Sequence, residues 1–154
     1  MNETKNFRDM LNETGKIVYT TRGVSMRPLL KQGRDVVYIV KRPEGRLKLC
    51  DAVLFVRDNG QYVLHRILKL TENGYWIIGD NCVGGEYVRE EQVIGVLSAV
   101  VRRGKTVKSD NRFYRLYVRL WCRPWRMRAF ILRILHFGMR CVRKTIRILK
   151  GETK

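Results

Sequence analysis

Apolar positions along the chain change their period twice. Phe7, Met10, Leu11 and Thr14 recur at helical spacing and Gly15 follows as a stop, which predicts a short helix over 5–14. Strand-like runs come next, over 16–21, 35–40, 52–57, 61–70, 75–78, 92–101 and 105–108. Turn signals separate them: Pro43-Glu44-Gly45, Asp58-Asn59-Gly60, Glu72-Asn73-Gly74 and Arg103-Gly104. Asp58-Asn59-Gly60 joins two strand runs and predicts a hairpin. Many short strands at close spacing predict a mainly β fold, one compact domain over 1–110, and not an alternating βαβ sheet. Within it, 28–33 reads as one helical turn.

From Asn111 the helical period returns. Arg112, Arg115, Arg119 and Arg123 lie three or four apart, and Pro124 breaks or restarts the helix. Beyond it Trp125, Ala129, Leu132, His136, Met139, Val142, Ile146 and Leu149 form a stripe, while Arg126, Arg133, Arg140 and Arg147 recur on another face. Residues 111–154 therefore predict a basic, amphipathic helical tail of one helix or two.

Charge sharpens this division. The 154 residues carry 32 Lys and Arg against 14 Asp and Glu, a net charge of +18. Over 111–150 there are twelve basic residues and no acid, so the tail holds most of the excess. A membrane span needs about 20 mostly apolar residues, and Arg126, Arg128, Arg133 and Arg140 interrupt every such window. A nucleic-acid arm fits the charge but not the many large apolar groups, among them Trp121, Trp125, Phe130 and Phe137. An interfacial helix fits both, with apolar groups at the acyl boundary and arginines on anionic headgroups. The plainer alternative packs the stripe on the β domain and leaves the arginines solvated. The expected partner is an anionic membrane surface contacted through 111–150, with nucleic acid the weaker candidate. His136 lies in the stripe and reads as interfacial or structural.

Cys50, Cys82, Cys122 and Cys141 lack metal-type spacing, and a chain of this size and core content needs no disulfide staples. Free thiols in a reducing compartment are the expectation. Met1 to Gly15 contains no apolar h-region of a signal peptide, so the expected location is cytoplasmic, peripherally attached to the membrane.

Three short stretches carry residue types for nucleophilic chemistry: Gly23-Val24-Ser25-Met26-Arg27-Pro28, Val63-Leu64-His65-Arg66-Ile67 and Gly79-Asp80-Asn81. A serine hydroxyl needs a base to take its proton, and imidazole has a suitable unperturbed pKa. A carboxylate can hold that imidazole in the right tautomer. Each residue also has an ordinary reading. Ser25 fits a helix cap, His65 a satisfied core histidine on the apolar strand face of Val63 and Ile67, and Asp80 a turn at a strand end.

Taken together, the three stretches resemble type I signal peptidases. Ser25-Met26-Arg27-Pro28 is similar to their Ser-Met-x-Pro nucleophile motif, and 63–67 to the segment carrying their general base, which is His in some members and Lys in many bacterial ones. Gly79-Asp80-Asn81 is similar to the Gly-Asp-Asn box, and the Ile94-Gly95 pair resembles the next strand. The likeness spans about 15–101. It implies a compact signal-peptidase/LexA-like β domain and a serine-type endopeptidase that needs no metal or cofactor. Ser25 would be the nucleophile, His65 the base, and Asp80 the residue that orients or steadies it. Oxyanion and substrate-contacting positions would be Gly23, Ser25, Met26 and Pro28. The implied substrate is a peptide or preprotein.

Three departures stand out. Position 23 is Gly where many bacterial members carry a serine hydroxyl donor. Cys82-Val83-Gly84-Gly85-Glu86 lacks the usual further Asp, Arg or Ser, leaving Glu86 as an alternative acid. Residues 1–15 carry no apolar run like the family's N-terminal anchor, so none is expected there. A catalytically weak, peptidase-fold module for peptide binding or membrane tethering is the alternative function.

Overall fold

The computed structural model describes residues 6–149. It is mainly β, an eight-stranded antiparallel sheet with three helices, one of them C-terminal. Helix α1 spans Phe7–Thr14, begins where the Asn6 side chain accepts from Asp9 N–H, and ends at Gly15 with φ 73°. That left-handed cap is cheap only for glycine. The strands are β1 Lys16–Thr20, β2 Asp35–Lys41, β3 Ala52–Val56, β4 Tyr62–Thr71, β5 Gly74–Ile78, β6 Glu86–Arg89, β7 Val93–Arg102 and β8 Lys105–Lys108. Helix α2 spans Arg112–Tyr117, a wide helical turn follows over Val118–Cys122, and helix α3 spans Trp125–Leu149.

The sheet runs β1-β2-β7-β3-β4-β5-β6, and β8 pairs with β7. Hairpins build most of it, as the Asp58-Asn59-Gly60 turn predicts for β3 and β4, where Val53 lies opposite His65. Strand β7 is long enough to pair with β2 on one edge and with β3 and then β8 on the other. Buried side chains gather in two clusters, on opposite faces of β3. Leu54, Leu64, Ile39, Leu97 and Met26 meet Leu11 of α1 and Tyr114 of α2 in one core cluster. Val53, Phe55, Ile67, Tyr75 and Ile77 form the second. Each large apolar side chain so buried stabilises by about 1.5–3 kcal/mol.

The structure departs from the sequence reading in a few places. β6, only four residues, escaped the strand pattern. Residues 28–33 lie in successive turns and in no assigned helix, with i→i−4 bonds from Leu30 N–H to Met26 O at 2.8 Å and from Asp35 N–H to Lys31 O at 3.1 Å. Of the two alternatives for the tail from Asn111, packing on the β domain holds for part of it, because Tyr114, Cys122, Arg128, Ala129 and Leu132 are buried. Of the predicted stripe, Ala129 and Leu132 are buried, Trp125 and His136 half-buried, and Met139 and Val142 exposed. The side chains of Ile146, Arg147 and Leu149 lie outside the described residues, as does position 5 of the predicted first helix.

Candidate active site

The segment between β1 and β2 carries Ser25, and several anchors fix it. Asp35, fully buried at the start of β2, accepts from Lys31 N–H at 2.9 Å and from Arg34 at 2.7 and 2.8 Å. Burial pushes the Asp35 carboxyl up, but the bonds from Arg34, Arg102 and the Lys31 N–H outweigh it and hold the group well below the carboxylate range. Met26 and Leu30 sink into the core. The Asn81 N–H donates to Ser25 O at 2.7 Å and the Asn81 amide to Val24 O at 3.2 Å. The third stretch thus grips the first through backbone bonds that the sequence order alone does not reveal.

Ser25 and His65 line one cleft of about 350 Å³, together with Tyr19, Gly23, Met26, Arg57, Tyr62 and Cys82 among others. Ser25 is half-buried and His65 is 8% exposed. Gly79 lies between them. A Cβ there would stand 2.7 Å from Ser25 O, 2.8 Å from Cys82 Sγ and 3.0 Å from His65 Nε2. Only glycine lets the backbone pass so close to both. Among the described residues, the Ser25 hydroxyl makes no hydrogen bond to His65 and caps no helix.

The carboxylate behind His65 is Glu86. Its Oε1 lies 3.6 Å from His65 Nδ1, an electrostatic contact longer than a hydrogen bond. Arg57 fixes Glu86 in bidentate fashion at 2.6 and 2.8 Å and also donates to Gln61 at 2.7 Å. With Nδ1 turned to Glu86 and Nε2 to the Gly79 side of the cleft, a neutral His65 protonated on Nδ1 presents Nε2 as an acceptor. Burial lowers the His65 pKa. Glu86 and Asp80 raise it in part, Arg57 lowers it further, and the net is below the ordinary value. The ring is therefore unprotonated at neutral pH, the state a base requires.

Asp80 acts on His65 by charge alone, raising its pKa, and its hydrogen bonds go to other groups. It is fully buried and accepts from Arg66 at 2.8 Å on each oxygen, from the Tyr117 hydroxyl at 2.9 Å and from Cys122 Sγ at 3.6 Å. Trp121 Nε1 donates to its carbonyl at 3.1 Å. The Arg66 guanidinium also donates to Cys50 O at 2.7 Å and lies 5.7 and 5.9 Å from the Tyr114 and Tyr117 ring centroids. The reason is strand alternation. His65 and Arg66 are neighbours on β4, so their side chains leave on opposite sides. Burial pushes the Asp80 carboxyl up, yet the Arg66, Tyr117 and Arg128 interactions hold it below its usual value. Burial and the Asp80 charge push the Cys122 thiol up to about 12.

Pro28 does not line the Ser25 cleft. It lies in a separate depression with Leu29, Val100, Val107, Phe113 and Tyr117. Met26 does line the cleft, though 5% exposed. Gly23 lines it at φ 89°, but its N–H is taken by Gln32 Oε1 at 2.8 Å. The Ser25 N–H has no acceptor among the described residues, which leaves it available to an oxyanion. Cys82 does reach the cleft, and burial raises its pKa, so it is a thiol and not a thiolate there.

Sequence reasoning missed the Arg57 brace and the whole tail contribution around Asp80. One signal was legible: Arg66 sits in an apolar strand run, where a buried guanidinium needs a buried acid. No group of His, Cys, Asp and Glu among the described residues could hold a metal ion. No described helix is long and apolar enough to cross a membrane. Compared with known proteins, the chain matches no family model and no curated sequence.

Proposed function

We propose that the protein is a signal-peptidase-like serine endopeptidase with a signal-peptidase/LexA-like β domain, working on a peptide or precursor protein at the cytoplasmic face of a membrane. The observation that carries this reading is a half-buried serine and a buried histidine on the walls of one cleft, with a braced carboxylate behind the histidine. In the proposed reaction Ser25 Oγ attacks the scissile carbonyl while His65 Nε2 takes its proton. The Ser25 N–H donates to the oxyanion. His65 then passes the proton to the leaving amine, and water repeats the cycle on the acyl-serine. Glu86, held by Arg57, steadies the imidazolium, and Asp80 is structural. General-base transfer of this kind contributes about 10²–10⁴-fold.

The cleft walls suit an extended chain. Among the described residues, β4 pairs on its β5 side only from Arg66 onward, which leaves the edge of Tyr62–His65 open, and β1 is an end strand paired only with β2. Both segments line the cleft, and open strand edges recruit a peptide by main-chain hydrogen bonds.

The test is digestion of a peptide library by wild type beside Ser25→Ala, with a serine-reactive probe on both. Probe labelling at Ser25 that vanishes with His65→Ala, and cleavage that vanishes with Ser25→Ala, are expected. The second reading, a catalytically weak peptide-binding or membrane-tethering module, is favoured by the Gly23 N–H being occupied and by the open Ser25–His65 contact. Peptide binding without labelling or cleavage decides for it.

A further inference from the structure

Round helix α3 at about 100° per residue the side chains fall into three sectors. Arg128, Ala129 and Leu132 are buried and seat the helix. Arg126, Arg133 and Arg140 are exposed on one flank. The remaining arc carries Phe130 at 64%, Ile134 at 55%, Leu135 at 53% and Phe137 at 65% exposure. The preceding helical segment adds Phe113 at 80% and Leu120 at 63%. An apolar face of this breadth, left uncovered and rimmed by cations, marks an interaction surface.

We propose that the exposed face of α2 and α3 docks on an anionic lipid bilayer, with the apolar arc in the headgroup–acyl boundary and the arginine flank on phosphates. Charge decides the occupant. Residues 111–150 carry twelve basic residues and no acid, so a second copy laid on the same face repels it. Nucleic acid satisfies the arginines but leaves the phenylalanines, isoleucine and leucines in water. A bilayer with anionic headgroups takes up both.

The arm is no free tether. Trp121 donates to Asp80 O, and Arg128 Nη2 reaches Gly79 O at 3.4 Å, while Gly79 and Asn81 touch His65 and Ser25 from the other side. Docking therefore holds the cleft in one attitude to the bilayer. If the peptidase reading stands, on which this last consequence alone rests, its substrates are chain segments lying close to the lipid surface.

Full-length protein is sedimented with vesicles of phosphatidylglycerol in phosphatidylcholine, and with phosphatidylcholine alone. Wild type and Ser25→Ala are expected to bind the anionic vesicles equally, so a failed peptidase assay leaves this result standing. Ile134→Glu, at an exposed site that spares the fold, is expected to weaken binding about tenfold or more. Arg133→Gln is expected to weaken it about fivefold. Wild-type-level binding by Ile134→Glu overturns the apolar face, and equal binding to neutral vesicles overturns the charge requirement. Wild type that ignores vesicles but forms dimers or binds DNA, either abolished by Ile134→Glu, overturns the lipid assignment.

Discussion

Replacing Asp80 by Asn separates a structural acid from a catalytic one. The side chain keeps its shape and loses its charge. Arg66 and Asp80 are both fully buried, and Arg128 is 1% exposed with Nη1 at 3.7 Å from Asp80 Oδ1. The amide offers one acceptor where the carboxylate served both Arg66 donors and the Tyr117 hydroxyl. Removing one partner of a buried pair costs about 3–5 kcal/mol, because the remaining charge stays desolvated. At this chain length that lowers Tm by about 6–20 °C. The assay is urea unfolding and a thermal scan, beside kcat/KM measured on the folded fraction. The expected outcome is a large stability loss with catalysis per folded molecule close to wild type. Tyr117→Phe gives a milder version, about 1.5–3 kcal/mol, should Asp80→Asn fail to fold. The sign in pH follows from the lowered carboxyl: the Asp80 contribution is complete above about pH 3.9 and is lost as pH falls through the lower folded value. An Asp80→Asn protein as stable as wild type but about 10⁴-fold slower, the size of loss when a triad carboxylate is neutralised, would refute this reasoning and return Asp80 to the catalytic group.

Three further outcomes bear on the site. Under the proposed mechanism the acid limb of kcat/KM is expected to have its midpoint below about 6.5, because burial lowers the His65 pKa; a midpoint above that value contradicts a buried base. Glu86→Gln removes a charge that raises the His65 pKa, so the limb shifts further to acid, and loss of the steadied imidazolium costs about 10²-fold in rate. An unchanged profile and rate mean that Glu86 does not act on His65. Gly79→Ala drives a methyl against Ser25 O, Cys82 Sγ and His65 Nε2, and is expected to destabilise by about 1–3 kcal/mol while lowering kcat/KM at least tenfold; full activity would show that the turn does not set the Ser25–His65 spacing.

Local periodicity made most of the fold legible. Alternation and turn chemistry placed seven of the eight strands within a residue or two, and only β6, four residues with a single buried side chain, was too short to register. Ser25 and His65, which share the cleft, were legible because their surrounding motifs are local. Cys82 follows Asp80 by two residues, but its arrival in the cleft depends on how the 79–82 turn folds back over Gly79. Pro28 illustrates the converse: a motif neighbour three residues from Ser25 turns into a different depression once the loop bends.

What the sequence determined by itself is what short-range sterics and composition determine: the change from strand to helical period, the hairpin at Asp58-Asn59-Gly60, and the gathering of positive charge after Asn111. Partnership between distant charges is of another kind. His65 and Arg66 are adjacent, so alternation dictates that they face opposite sides, but not which acid awaits each one. The tertiary fold decided that. It buried Arg66 against Asp80, so that this carboxylate's hydrogen bonds go to Arg66 and Tyr117 and not to His65. It brought β6 alongside β5 with Glu86 opposite Ile77, which set that acid behind the imidazole. It seated α3 on Arg128, Ala129 and Leu132 and left the Phe130–Ile134 arc uncovered. Helical periodicity defines the faces of such a helix, and only the surface it meets selects which one is buried.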